Sequence, residues 1–395
     1  MRVLGWMGAA LSVSCGGGWQ IDAEREVRQD RCEALESLNP DPPSAPRGLR
    51  VRGNAIEDAH GQTVLLRGVN RSGTEYQCTK AGAGIFDGPA DEHSVRAMRS
   101  WGINAVRVPL NESCWLALGG TPAVYSGENY KNAIKGYVEL LQRNGIVPIL
   151  DLHWAAPGDR VALELWPMPN VDHSLEFWRD VATTFIDNDG VIFEPYNEPF
   201  PDRNRDTGAA WLCWRDGCEE QSWSGQAYEA AGMQVLVDTI RSTGAEHVIL
   251  LGGVEYSNAL SGWLEYAPSD PTGNLAVAWH VYNFNRCRDL ACWEGVPAQL
   301  ATHVPIIATE IGQADCAGES FLKPLMLFLD DADIGYLAWS WNALGACSPR
   351  MPNAPTAEQR EGAPFNLVTD YACPEPNSDY ARTFRDHLLG TAQPE

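Results

Sequence analysis

Two glutamates, each closing a short apolar run, are the residues whose type and setting could do chemistry. Glu198 stands near the end of Val191-Ile-Phe-Glu-Pro-Tyr-Asn-Glu-Pro-Phe200, and Glu310 stands in Ala308-Thr-Glu-Ile-Gly312. Val191–Phe193 reads as a strand buried on both faces, and Pro195 and Pro199 restrict the backbone that carries Asn197 and Glu198. A carboxylate at the C-terminal end of a parallel strand stands where such folds keep their chemistry. Alone, Asn-Glu-Pro is equally a surface turn with a solvated glutamate, so its meaning depends on a partner. A second carboxyl about 5–5.5 Å away would allow double displacement at an acetal carbon, one group donating a proton and the other attacking. Their surroundings would have to differ, since one must hold its proton while the other is ionised.

The elements that must bring the pair together can be read in order. Leu49–Gly53, Ala55–Glu57, a turn at Asp58–Gly61 and Val64–Asn70 read as a hairpin leading into a buried strand. Strand and helix signals then alternate. A helix is expected near Glu92–Trp101, a strand at Ile103–Val108, a long amphipathic helix at Asn129–Asn144 and a strand at Ile146–Leu152. Helix His173–Asp187 precedes strand 191–196, and helix Gly225–Ser242 precedes strand His247–Leu251. Ala276–Tyr282, Val304–Thr309 and Gly335–Trp339 complete the strands, and a helix is expected near Asp379–Leu389. Eight strands counted from Val64, most followed by a helix or long loop, predict an α/β chain folded as a (β/α)8 TIM barrel with an N-terminal β-hairpin.

In a barrel the strand ends share one cavity. The second strand carries Arg107, the third His153, and the fourth leads to Asn197 and Glu198. His280 and Tyr282 end the sixth, Glu310 the seventh and Trp339 the eighth. Singly, each has an ordinary structural use. Together they are polar groups at buried strand ends, costly unless they satisfy one another or a ligand. Arg107 is placed to hold Glu310 ionised and Tyr282 to donate to it. Asn197 is a candidate for a sugar 2-hydroxyl, His153 and His280 for supporting hydrogen bonds, and Trp339 for a flat face beneath a sugar ring.

This set, with Leu150-Asp-Leu-His-Trp154, Asn197-Glu-Pro199, His280-Val-Tyr282 and Ala338-Trp-Ser-Trp-Asn342, resembles glycoside hydrolase family 5, the cellulase-type family. The resemblance runs from about Leu49 to Trp341. It implies Glu198 as acid/base, Glu310 as nucleophile, and Arg107, His153, Asn197, His280, Tyr282 and Trp339 in support, with no cofactor and no metal. Asn-Glu-Pro occurs in related barrel families, and Arg107 and the His-x-Tyr pair tip the choice. The expected activity is that of a retaining glycosidase on a β-linked polysaccharide, first an endo-β-1,4-glucanase and next a β-mannanase. Trp154, Trp166, Trp211, Trp214, Trp223, Trp263 and Trp293 fall in expected loops above the barrel, where they could stack along a polymer or pack their own loops.

Composition bounds the alternatives. The chain has 395 residues and a net charge of −23, which argues against nucleic acid or an anionic membrane surface as partner. The basic Met-Arg start and short apolar run to Val13 read as an export signal over 1–15, and Ser12–Gly16 resembles a lipoprotein processing site with Cys15 as the lipidated residue. Residues 16–47 are polar and then proline-rich, a linker, tied to the body only by Cys32, and 48–390 form one catalytic barrel without a visible carbohydrate-binding module. Setting Cys15 aside leaves ten of the eleven cysteines. In an exported chain Cys213–Cys218, Cys287–Cys292, Cys78–Cys114 and Cys316–Cys347 suit disulfides better than zinc. A bacterial, exported monomer, secreted or held by at most a lipid anchor, is the expectation. A surface carbohydrate-binding lipoprotein without turnover is the non-enzymatic alternative, and a metal-dependent hydrolase using Asp151 and His153 the other. Gly82-Ala-Gly84 lacks the context of a phosphate loop.

Overall fold

Eight parallel strands close on themselves because each is apolar on its outer face and must also fill a shared interior. In the computed structural model, which describes residues 42–350 and 363–391, the barrel strands are β3 (Arg67–Asn70), β4 (Ala105–Asn111), β5 (Val147–Trp154), β6 (Ile192–Glu194), β9 (Ile249–Gly252), β10 (Leu275–Tyr282), β11 (Ile306–Gly312) and β12 (Gly335–Ala338), with β12 pairing back onto β3. The expected (β/α)8 fold is the one observed. The signal segment with Cys15, and Cys32, lie outside the described residues. Residues 42–47 pack on the barrel rather than trailing as linker: Ala45 is buried and donates its N–H to the Gln142 carbonyl.

Alternation along the strands sorts the two faces. Val106, Val108, Leu150, Leu152, Phe193, Val277, Trp279 and Val281 point out and pack under the helices, among them Glu128–Arg143, Ser174–Thr184 and Met233–Ser242. Ala105, Val147, Ile149, Ile192, Ala276, Ala278 and Leu337 point inward as a separate apolar cluster. The antiparallel hairpin β1 (Arg50–Arg52) and β2 (Ala55–Glu57) joins that cluster through Leu49 and Ile56, so it seals the N-terminal end of the barrel. Going up each strand, the inward positions change from apolar to polar: Ala105 to Arg107, Ile149 to Asp151 and His153, Ile192 to Glu194, Ala278 to His280 and Tyr282.

The register slips in β10 between Ala278 and His280, and between β11 and β12 from Ala308 to Ile311. Irregularities of this kind re-aim side chains next to sites, and they fall beside His280 and Glu310, which are paired across the two strands.

One expected helix is shorter than read. Gly225–Ser242 yields a helix only from Met233 to Ser242. Ala227–Ala230 is instead β8, antiparallel to β7 (Cys218–Gln221). Gly225, at φ +82°, makes the turn, and residues 227–230 alternate exposed and buried, the period of a strand. At Gly232 a Cβ would meet the Arg215 carbonyl oxygen at 2.3 Å, which fixes the chain close against the preceding helix. The four disulfides suggested by spacing all form, Cys78–Cys114, Cys213–Cys218, Cys287–Cys292 and Cys316–Cys347, and Cys373 is also disulfide-bonded. Such bonds persist in oxidising compartments, which suggests export.

Candidate active site

The upper, polar layer of the barrel is organised by Arg107, whose side chain is fully buried. A buried guanidinium has five donors to satisfy, and β5, β6, β11 and β3 supply the acceptors. Nε and Nη2 make a two-pronged contact with Glu194 at 2.8 and 3.1 Å. Nη1 donates to Asn70 Oδ1 at 3.0 Å and to Glu310 Oε1 at 2.8 Å. Nη2 also donates to Asn197 Oδ1 at 2.7 Å and lies 3.0 Å from Asp151 Oδ2.

All eight residues singled out from the sequence meet in this layer. Tyr282 donates its hydroxyl to Glu310 Oε2 at 2.6 Å. His280 Nδ1 lies 2.8 Å from Glu198 Oε1 and 3.5 Å from Glu310 Oε2, and its Nε2 lies 3.2 Å from Thr309 Oγ1. A Glu198 oxygen, a His280 nitrogen and a Glu310 oxygen all fall within 4.8 Å of one another. His153 Nδ1 pairs with Asp151 at 2.7 Å, its Nε2 is 3.5 Å from Asn197 Nδ2, and its ring stacks on Trp339 at 5.3 Å and 10°. The loop bearing Glu198 is itself pinned: Asn197 N–H donates to the Leu152 carbonyl, Tyr196 OH to the Trp166 carbonyl and Ser257 Oγ to the Asn197 carbonyl.

One arginine against several buried acids leaves the carboxyls in unequal positions. Burial raises the Glu198 pKa well above the ordinary range, and the neighbouring Glu310 charge adds to it. Burial raises Glu310 too, but the Arg107 charge and the Tyr282 hydroxyl oppose the rise. Asp151 and Glu194 are pushed up to about 7 by burial, with Arg107 pulling the other way. His153 is depressed to about 3 and His280 well below its usual value, by burial and then by Arg107, so both imidazoles are neutral. The Thr309 hydroxyl lies 3.2 Å from Glu194 Oε1 as donor. It can then accept from His280 Nε2–H, which leaves Nδ1 as acceptor for a proton held on Glu198.

A cleft of about 660 Å³ opens above these groups, lined by Glu198, Glu310, His153, Asn197, Tyr282 and Trp339 and, from the loops, by Asn204, Tyr256, Phe284, Arg286, Arg350 and Phe365. Asp202–Asn204 and Glu255–Ser257 border it as two left-handed turns, with φ between 52° and 59° at six non-glycine residues. That backbone is strained, and such strain collects at functional sites. Glu194, Asn70, Thr309 and these loop residues were not singled out from the sequence. An acid inside an otherwise apolar strand was the available signal for Glu194; the loops offered none.

The expectation of a tryptophan-lined cleft changes. Trp166, Trp211, Trp214, Trp263 and Trp293 are buried in the core, and Trp214 and Trp263 spend their indole N–H groups on the Gly252 and Leu251 carbonyls. Trp154 is half-buried near Tyr76, and Trp223 is exposed. Asp151 and His153, read as possible metal ligands, bond to each other, and Asp151 also to Arg107.

Residues 57–345 match the family model described as cellulase (glycosyl hydrolase family 5). A mannan endo-1,4-beta-mannosidase of Salipaludibacillus agaradhaerens is 21% identical over 306 residues, covering 74% of this chain and 81% of that protein. Endoglucanase N of Pectobacterium atrosepticum is 23% identical over 335 residues, covering 83% of this chain and 64% of the other. The crystal structure of a beta-glucanase from Saccharophagus degradans in complex with cellotetraose superposes with a TM-score of 0.61 at 18% identity, over 90% of this chain and 98% of that one, a likeness of fold.

Proposed function

Because the chain belongs to glycosyl hydrolase family 5, and is a retaining glycosidase acting on O-glycosyl bonds, we propose that it cleaves internal β-1,4 bonds of a glucan with Glu310 as nucleophile and Glu198 as acid/base. The observation that carries these roles is the placement of Glu198 and Glu310 oxygens within 4.8 Å of each other, against surroundings that differ. Carboxyls this close leave no room for a water on the far face of the sugar, which is the arrangement for retention.

In the first step the Glu310 oxygen attacks the anomeric carbon while the Glu198 proton passes to the departing glycosidic oxygen. Arg107 and Tyr282 have fixed the nucleophile's orientation, so little reorganisation is needed as charge moves. The glycosyl ester on Glu310 then neutralises that acid, which lets Glu198, now ionised, take a proton from water attacking the same carbon. Asn197 is the group for the 2-hydroxyl, whose hydrogen bond strengthens in the oxocarbenium-like state. Trp339 offers its ring to the sugar held there.

The endoglucanase reading draws support from relatives named as endoglucanases, and the mannosidase relative supports mannan as the next substrate to try. Release of reducing ends from soluble β-glucans and mannans, with and without a chelator, tests both. Silence on every β-glucan would end the first choice, and loss of activity to the chelator would end the metal-free mechanism. The same proposal has the chain act outside the cytoplasm as a monomer, with export directed by 1–15, residues 16–47 ahead of a 48–390 barrel, and the mature protein either secreted or held by a lipid on Cys15. Mass spectrometry of the mature N-terminus tests the last point.

A further inference from the structure

Trp223 is the most exposed large apolar side chain among the described residues, at 67% of its full accessibility. It lies at the tip of the β7–β8 hairpin, whose base is tied by Cys213–Cys218. The tip is ordered by its own bonds: Ser222 N–H donates to the Gln226 carbonyl, and Gly225 N–H to the Ser222 carbonyl. The hairpin is also fastened to the loop after Glu198, since Asp202 N–H donates to Glu220 Oε2 at 3.0 Å. An exposed indole on a fixed mount carries an unfavourable hydration that a ligand could relieve.

The ring is not isolated. It lies parallel to Phe200, 5.7 Å away at 9°, and Phe200 is two residues beyond Glu198. Phe200 in turn packs on Tyr256 at 4.6 Å, and Tyr256 lines the catalytic cleft. Tyr256, Phe200 and Trp223 thus form a row of rings leading outward from the wall that carries Glu198. Beside the row is a second cavity of about 600 Å³, bordered by Phe200 and Trp223 and by the polar side chains of Asp202, Arg203, Glu219 and Gln221. Flat apolar rings flanked by hydrogen-bonding groups match a pyranose, which presents C–H faces and a rim of hydroxyls.

We propose that this hairpin carries a further sugar-binding subsite for the leaving-group end of the β-glycan, with the exposed Trp223 ring as its platform and the buried Phe200 as the backing that holds that ring in place. The inference rests on the reading of Glu198 as proton donor. The departing oxygen receives its proton there, so the released chain lies along Glu198's wall, where the row of rings begins. The occupant is therefore the distal part of the substrate itself, and the subsite sets how much chain is held beyond the bond that breaks.

The test compares wild type, Trp223→Ala and Trp223→Phe on reducing-end-labelled β-1,4-linked gluco- and manno-oligosaccharides and on an aryl glycoside of the same glycone. For Trp223→Ala we expect about a tenfold loss of kcat/KM on the longer oligosaccharides and a shift of cleavage that shortens the labelled product. The aryl glycoside, which has no distal chain, should be hydrolysed as by wild type, and Trp223→Phe should restore most of the loss. Unchanged oligosaccharide kinetics and products in Trp223→Ala, with wild type active, would overturn the subsite alone. An equal loss on the aryl glycoside would also overturn it, by showing a structural role. A wild type inactive on all of these substrates would overturn the glycosidase reading and the subsite together.

Discussion

Arg107 Nη1 lies 2.8 Å from Glu310 Oε1, while the same guanidinium grips Glu194 through two further bonds. The arginine is thereby held by one acid as it serves another. Glu310 also accepts from Tyr282 at 2.6 Å, whereas Glu198 faces the neutral His280 at 2.8 Å. Two like groups close together are driven apart in proton affinity by what each touches.

If Glu310 is the nucleophile, Glu310→Gln should form no glycosyl-enzyme and turn over no substrate, with the fold intact. Mass spectrometry after incubation with an activated 2-fluoro glycoside checks this. A covalent adduct on the variant would reassign the nucleophile.

Glu198→Gln should cost roughly 10²–10⁴-fold on substrates with poor leaving groups and far less on activated aryl glycosides, whose departure needs no proton. An equal loss on both classes would remove the acid assignment.

The pH profile follows from the same contrast. Activity requires Glu198 protonated and Glu310 ionised, so kcat/KM should fall as pH rises through the higher apparent pKa and as it drops through the lower, both values belonging to the pair. Glu198→Gln should lose the alkaline limb on aryl glycosides. A limb that survives there belongs to another group.

Arg107→Met would leave Asp151, Glu194 and Glu310 buried without their shared counter-charge. Breaking a buried ionic cluster this way costs roughly 3–5 kcal/mol, read as a lower urea midpoint. Arg107→Lys should recover part of that, since an ammonium keeps the charge but cannot make the two-pronged contact with Glu194. Full stability in Arg107→Met would mean that the cluster tolerates the loss by protonation alone.

Away from the catalytic pair, Glu75 is buried, accepts the Gly73 N–H at 2.6 Å, and is pushed by burial up to about 8. The folded chain keeps that proton between its ordinary value of 4.5 and about 8, where the unfolded chain has released it. The native state then binds more protons, so its contribution to stability is present below that window and declines as pH rises through it. Glu75→Gln should therefore lose less Tm than wild type between about pH 5 and 8. Parallel curves would refute a buried, protonated Glu75.

The barrel was legible because its strands read apolar on both faces, a pattern that survives without knowledge of the partners. The inward positions carrying Arg107, His153, His280 and Glu310 were legible as polar residues at the ends of such strands. Glu194 was hidden by the same pattern, since it sits within the run that announced the strand, and its role is defined by Arg107, far away in the chain. Residues 225–230 of the hairpin suit a helix by sequence, since Tyr228-Glu-Ala-Ala is helix-compatible. Pairing with Cys218–Gln221 and the close approach at Gly232 override that preference. Tryptophan count carries no information on position: five of the seven rings that fall in expected loops above the barrel are buried in the core.

The β1–β2 hairpin closes the far end of the barrel with Leu49 and Ile56, and this has a bearing on traffic. Among the described residues, the catalytic layer above that packed cluster is a blind well whose doorway is the C-terminal mouth of the barrel. Water that completes the second half of the reaction must enter where the first product goes out, so the order of events is imposed by plumbing as well as by chemistry. An oligosaccharide that lingers in the doorway would delay hydrolysis and offer its own hydroxyl in place of water, turning a cutting enzyme toward sugar transfer.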